Sequence, residues 1–212
     1  MRSLHALIGL GLVIGTTVAA GQAVLPKDIY PETGNRFPSV KREALNEAGK
    51  KIYDARVDAF GPGSIRLYSQ PVADSMTGLN DYLRRKSGLE PRLVELAILV
   101  TAREMDSEYV WTAHEPPALK AGLQQAIIDT VKYRRPLTAL GEKDAVIVQL
   151  GRDAIGKHKV GSDTFARAVK LFGHQGVVNI VALMGDYAAT TILLNVADQR
   201  VRPKDKSLLP IP

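Results

Sequence analysis

Two side chains near the middle of the chain have the chemistry to transfer protons. Glu95 stands in an otherwise apolar run, where an isolated carboxylate is costly unless it is paired or protonated. His114 follows 19 residues later. A buried carboxylate beside an imidazole forms a proton-transfer pair, so Glu95 and His114 are candidate catalytic residues.

The two residues can meet if the chain turns back between them. On one continuous helix they would be roughly 30 Å apart, at about 1.5 Å per residue. Asp106 or Ser107 is a candidate N-cap for a new helix, and a break there would fold two helices into a hairpin. Glu95 and His114 would then lie at a similar height above the turn and face one another.

The helix that carries His114 offers further candidates for a pocket. Ser107, Trp111 and His114 share one face at helical spacing, and Glu108 lies on an adjoining face. An apolar wall with a few polar groups is typical of a ligand pocket. Glu108 is therefore a third candidate catalytic residue, and Ser107, Trp111 and Tyr187 are candidate substrate-binding residues. Their structural alternatives are a helix cap for Ser107, core packing for Trp111 and Tyr187, and a favourable interaction with the helix dipole for Glu108.

The chain contains no cysteine. This excludes disulfides, thiolate metal sites and thiol nucleophiles. His158 and His174 stand beside glycine-containing loops without a second histidine at ligand spacing, so no metal site is predicted.

Composition is ordinary for a globular protein. Hydrophobic residues make up 45% and charged residues 24% of 212 residues, enough for one well-packed domain. The net charge of +6 favours anionic partners by long-range attraction. Because the basic residues are spread along the chain without a nucleic-acid motif, we expect a small anionic substrate and no nucleic-acid partner.

The N-terminus resembles a secretory signal peptide. Arg2 is followed by an uncharged apolar stretch over residues 6–20 that ends in small residues. Cleavage after Ala20 or Ala23 would remove it as a signal of residues 1–23, and an uncleaved membrane anchor is the alternative. We expect an exported protein, periplasmic or secreted, with no membrane partner after signal removal.

The remaining pattern predicts an all-α fold of about seven or eight helices. Residues 24–40, rich in proline, predict an extended arm, residues 41–200 one helical domain, and residues 201–212 a tail. Pro116 and Pro117 are expected to end or kink the helix of His114, and Pro71 to interrupt an earlier one. The helices are predicted over residues 41–60, 74–86, 91–102, 107–116, 123–133, 141–155, 163–172 and 176–197.

One stretch resembles a known family. The runs PRLVELAIL (residues 91–99), SEYVWTAHEP (107–116), AGL (121–123) and FGHQGVV (172–178) resemble the carboxymuconolactone decarboxylase family, which includes the alkyl hydroperoxidase D-like proteins. The similarity extends over residues 79–195. It implies an all-α fold, assembled as trimers or hexamers with sites near subunit contacts.

The resemblance also separates two kinds of chemistry. The peroxidase branch uses a Glu, two Cys and a His, with the same spacing as Glu95 and His114. Its thiol positions fall on Ser107 and Val110 here, which excludes reduction of hydroperoxides through a disulfide.

The decarboxylase branch implies cofactor-free loss of carbon dioxide from an unsaturated lactone acid. His114 would be the general acid/base and Glu95 would orient it. Arg92 and Arg103 are the candidates to hold a substrate carboxylate by two-point pairing. We expect a lyase acting on a small lactone or related carboxylic acid; the alternative is a non-catalytic helical protein of the same fold that binds a ligand or serves in assembly.

Overall fold

A computed structural model describes residues 26–55 and 59–211, and its regular structure is helical. Within these residues there is no strand, and one isolated bridge joins Tyr30 and Asn35. The all-α prediction is therefore confirmed, as is the number of helices. The predicted signal peptide and both of its cleavage positions lie outside the described residues.

Eight α-helices follow one another along the described chain. A 3-10 turn precedes the first, at Arg42–Ala44, and π-helical turns extend the third and the seventh, at Tyr82–Lys86 and Arg152–Gly156. The helices are α1 (Glu47–Ala55), α2 (Pro62–Arg66), α3 (Gln70–Asp81), α4 (Pro91–Glu104), α5 (Glu108–Lys120), α6 (Gln125–Lys132), α7 (Glu142–Gly151) and α8 (Ser162–Val196).

Helix α4 is the centre of the fold. Pro91 stands in its first turn, where the missing amide hydrogen is not needed. Every residue from Leu93 to Arg103 is buried, because α5, α7 and α8 pack around this helix. Burying one large aliphatic side chain of this kind stabilises a fold by about 1.5–3 kcal/mol. Glu95 is therefore carried by the most enclosed helix.

The predicted break between α4 and α5 is present. Asp106 adopts the left-handed conformation (φ 48), which Asp tolerates better than most residues. The amide of Ser107 donates to the carbonyl of Ala102 at 2.7 Å, and this bond closes the turn. Ser107 occupies the N-cap position of α5, although its side chain makes no capping hydrogen bond. The result is the α4–α5 hairpin.

Three prolines and one glycine bear on the predicted helix boundaries. Pro116 and Pro117 lie inside α5 and do not end it, since the helix continues to Lys120. Pro71 does not interrupt a helix but stands in the first turn of α3. Gly173, with φ 65 and ψ 171, is non-helical, so the predicted break between two helices in this region is present as a kink inside α8.

Helix α8 is, among the described residues, the one with the length and apolar composition to cross a membrane. It packs against α4 and α7, and 56% of its apolar 18-residue stretch is buried inside the protein. The core helix of a globular protein can have the same length and composition. Its buried Asp186 argues against a lipid environment.

The two ends of the described chain pack together onto the helical body. The amide of Arg36 donates to the carbonyl of Ala197 at 2.8 Å, and Gln199 bonds to Asn35 at 2.8 Å. Further along, Leu209 is buried and the amide of Leu208 donates to the Thr112 hydroxyl of α5 at 3.2 Å. The C-terminal segment after α8 thus runs over α5 instead of leaving the fold.

Candidate functional site

Glu95 and His114 meet across the α4–α5 hairpin, as their spacing predicts. Oε2 of Glu95 lies 2.8 Å from Nδ1 of His114. The side chains are 8% and 14% exposed, so water competes weakly for this hydrogen bond. The other carboxylate oxygen, Oε1, accepts a hydrogen bond from Nη2 of Arg84 at 3.0 Å. Three titratable side chains therefore form one connected group.

Arg84 reaches this group from a distorted helix end. It lies on the π-helical turn that follows α3, beside the buried Leu83. A π-helical turn adds a residue to the helical cycle and redirects its side chains, and such turns are frequent at functional sites. The periodicity of the segment predicts a helix but carries no signal for this distortion, so sequence reasoning missed Arg84.

The charges of this group determine which atoms carry the protons. Burial raises the pKa of Glu95, but the hydrogen bond from His114 and the charges of His114 and Arg84 together outweigh it, and the pKa lies below its ordinary value. An ionised carboxylate accepts hydrogen bonds and cannot donate them, so Nδ1 of His114 carries the hydrogen between the two residues. Nε2 is then the ring nitrogen available to a ligand.

His114 forms part of the wall of a cavity of about 300 Å³. The cavity lies between α2, α3, α5, α8 and the C-terminal segment. Three arginines line it, and none of its described lining residues is acidic. The lining residues are Phe60, Pro62, Arg66, Asn80, Arg84, Tyr109, Val110, Ala113, His114, Tyr187, Thr190, Leu194 and Arg202. The lining is thus cationic, and the carboxylates of Glu95 and Asp186 lie behind the lining residues His114 and Asn80.

Tyr187 stands beside the imidazole. Its ring packs edge-on to that of His114, with centroids 5.1 Å apart, and it lines the cavity. Burial raises the pKa of Tyr187, so the hydroxyl keeps its proton and can donate to a ligand. On neighbouring Asp186, Oδ2 accepts a hydrogen bond from Asn80 at 2.8 Å, whereas Oδ1 is buried without a hydrogen-bond partner.

Three other predicted site residues lie away from the cavity. Trp111 is fully buried in the core, and its Nε1 donates to Glu115. Ser107 is buried in the hairpin turn. Glu108 lies in the first turn of α5, partly exposed, and does not line the cavity. For Trp111 and Glu108 the structural alternative describes the residue better than a binding or catalytic role, and Ser107 occupies the N-cap position without a capping hydrogen bond.

The predicted carboxylate-binding arginines are also elsewhere. Arg92 pairs with Asp144 at 2.7 Å, and Arg103 donates to the carbonyl of Pro210 at 2.8 Å. Neither lines the cavity, because their positions on α4 direct them toward α7 and toward the C-terminal segment. The cations at the cavity are Arg66, Arg84 and Arg202, from three segments for which the sequence carried no signal.

Within the described part of the chain, no three His, Asp or Glu side chains lie together in a way that could hold a metal ion. The described side chains at the site supply an imidazole, a carboxylate, a phenol and guanidinium groups. No protein-family model and no curated protein matches the chain significantly.

Proposed function

We propose that this protein is a cofactor-free acid/base lyase of the carboxymuconolactone decarboxylase kind, acting on a small lactone or related carboxylic acid. The observation that carries the proposal is the ionised Glu95 bound to Nδ1 of His114, at the wall of a cavity lined by arginines. With Nδ1 bound to Glu95, the second imidazole nitrogen is left for a ligand, and the arginines favour a ligand of negative charge.

The reaction uses these groups in a simple order. When the carbon–carboxylate bond breaks, carbon dioxide leaves and the electron pair stays on the substrate as a dienolate-type anion. Guanidinium groups fixed at the cavity wall stabilise this anion without having to reorganise. Nε2 of a protonated His114 gives its hydrogen to the substrate carbon, and the ring regains a proton from water. Glu95 keeps the ring oriented and stabilises its positive charge, as a carboxylate does behind a catalytic histidine.

Cavity size and composition support a small substrate. About 300 Å³ is at the lower end of the range of about 300–1,000 Å³ for small-molecule pockets. The absence of cysteine leaves acid/base chemistry and removes thiol peroxidase chemistry from the proposal.

The proposal extends to location and assembly. The N-terminal pattern supports export to the periplasm or beyond, and mass spectrometry of the exported protein tests it through the first residue of the mature chain. The resemblance suggests a homo-oligomer, a trimer or hexamer. Exposed apolar side chains along one face of α8, Val178, Ile192 and Val196, support burial of this face against another copy.

Turnover of a panel of lactone acids, followed by carbon dioxide release, tests the proposed reaction. We expect His114→Gln to lower turnover by about 10²–10⁴-fold, the usual contribution of a general acid/base. His174→Gln is the matched control, since His174 is exposed and outside the cavity. If the wild-type protein turns over none of the acids and still binds them, the chain is a ligand-binding protein of the same fold instead.

A further inference from the structure

Arg66 is a cavity cation without a carboxylate partner. It is the last residue of α2 and lines the cavity. Its Nη2 donates to the hydroxyl of Thr190, and its Nε is buried without a hydrogen-bond partner. Among the described residues no carboxylate oxygen lies within 4.0 Å of it. By contrast, Arg84 forms an ion pair with Glu95.

Burial of the charged Arg66 guanidinium at the cavity wall costs free energy. Burial lowers the pKa of Arg66 from its ordinary value, and the charge of Asp186 offsets part of this effect. Asp186 is the nearest candidate counter-charge, but the hydrogen bond its side chain makes is with Asn80. A partly buried cation is stabilised most by an anion that pairs with it directly. Asp186 does not pair with Arg66 directly, and an anionic ligand in the cavity could.

The guanidinium is also held in place. The Thr190 hydroxyl donates its hydrogen to the backbone carbonyl of Asp186 at 2.8 Å, so its oxygen faces Arg66 as an acceptor. At the start of α2, Gly61 has φ 93, and a Cβ there would overlap the hydroxyl of Tyr109. The short helix that carries Arg66 is thus seated closely on α5 and α8. A binding group that is positioned before the ligand arrives loses less entropy on binding.

We infer that Arg66 is the specificity-determining residue that binds a carboxylate group of the ligand, on the α2 side of the cavity. The inference rests on the proposed function for the nature of the ligand, but it concerns binding and does not require turnover. Planar two-point pairing with a guanidinium would favour a carboxylate over a neutral amide of the same shape.

Binding of matched acid and amide probes tests this role. Isothermal titration with benzoate and benzamide compares the wild-type protein with Arg66→Gln, Arg66→Lys and the control Arg85→Gln. Arg85 lies on the π-helical turn, two-thirds exposed, and pairs with Asp81. We expect the wild-type protein and the control to prefer benzoate. Arg66→Gln should lose about 10- to 100-fold of benzoate affinity, the range for a hydrogen bond to a charged group, and Arg66→Lys should retain part of it.

Several results would overturn the inference. They are unchanged benzoate affinity in Arg66→Gln, equal binding of benzoate and benzamide by the wild-type protein, and no binding of benzoate at 10 mM, on the order of the weakest fragment affinities. Tighter binding of inorganic phosphate than of benzoate would also overturn it, because the site would then suit a tetrahedral anion. Arg66-dependent binding of benzoate without turnover of any lactone acid would sustain the inference and contradict the proposed function.

The stability of Arg66→Met in urea provides a second measurement, which distinguishes a ligand-binding arginine from a structural one. Arg66→Met removes a cation that has no carboxylate partner, so the urea midpoint should stay the same or rise. A fall in the midpoint of more than about 0.5 M, about 1 kcal/mol at ordinary urea slopes, would indicate a structural role and contradict the inference.

Discussion

Replacing Glu95 by glutamine removes one negative charge from the centre of the site while keeping the size of the side chain. The carboxylate makes two charge-assisted hydrogen bonds, to Nδ1 of His114 at 2.8 Å and to Nη2 of Arg84 at 3.0 Å. Such bonds contribute about 1.5–3 kcal/mol each. Glutamine keeps one neutral acceptor and does not require dehydration of a charge on folding. We therefore expect the free energy of unfolding to fall by about 2–3 kcal/mol.

Glu95→Ala should lower the stability of the protein more than Glu95→Gln does. It leaves Arg84 and His114 without an acceptor and opens a void beside α5, and removal of one partner of a buried pair costs about 3–5 kcal/mol. Glu108→Gln is the matched control, because Glu108 is partly exposed on the neighbouring helix and outside the cavity. Its effect should stay within about 0.5 kcal/mol.

The chain has a built-in probe for this measurement. Trp111 is the single tryptophan and is fully buried in the core, so its fluorescence reports global unfolding in urea. With a slope of about 2 kcal/mol per M, the Glu95→Gln midpoint should fall by about 1–1.5 M. Equal midpoints for Glu95→Gln and Glu108→Gln would refute the argument. Adding His114→Gln to Glu95→Gln should cost less than the two separate effects combined, since the residues share one bond.

Three further outcomes follow from the same contacts. The lowered pKa of Glu95 means that its stabilisation is present above its ordinary pKa of 4.5 and is lost as the pH falls through the lower folded value; the stability difference between wild type and Glu95→Gln should therefore shrink between pH 7 and pH 3, and a difference that widens would contradict this. Glu115 and Lys132 form an ion pair of 2.8 Å with side chains 9% and 10% exposed, so Glu115→Gln should cost about 3–5 kcal/mol in urea unfolding, and a loss below about 1 kcal/mol would mean that the pair is well hydrated. A Cβ at Gly151 would overlap Cγ1 of Val100 where α7 crosses α4, so Gly151→Ala should cost about 1–3 kcal/mol by calorimetry or urea unfolding, whereas an unchanged midpoint would show that the two helices separate easily.

The contact between Glu95 and His114 could be predicted because it depends on local signals. Apolar periodicity identifies α4 and α5, and turn-forming residues identify the break between them at Asp106 and Ser107. Two helices joined by a tight turn must lie side by side, so residues at equal distances from the turn come together. The same local signals predicted the all-α class, which the structure confirms.

The direction in which an individual side chain points cannot be predicted from these local signals. Each residue rotates its side chain by about 100° around the helix axis, so whether Arg92 and Arg103 face a cavity depends on which helices pack against α4. Both turn out to serve other contacts, with Asp144 and with the carbonyl of Pro210. Pro116 and Pro117 likewise lie inside α5, which continues to Lys120, although local rules allow a helix to end before them.

By itself, the sequence determined the helical class, the hairpin and the pair of residues that can exchange a proton, because these follow from periodicity and from short-range turn chemistry. Tertiary structure alone decided that Arg66, Arg84 and Arg202 converge on His114. They come from the end of α2, a π-helical turn and the segment after α8, and no spacing in the sequence relates them. The cationic character of the cavity arises from the packing of distant segments, and for this reason the sequence pattern pointed to Arg92 and Arg103, which do not line it.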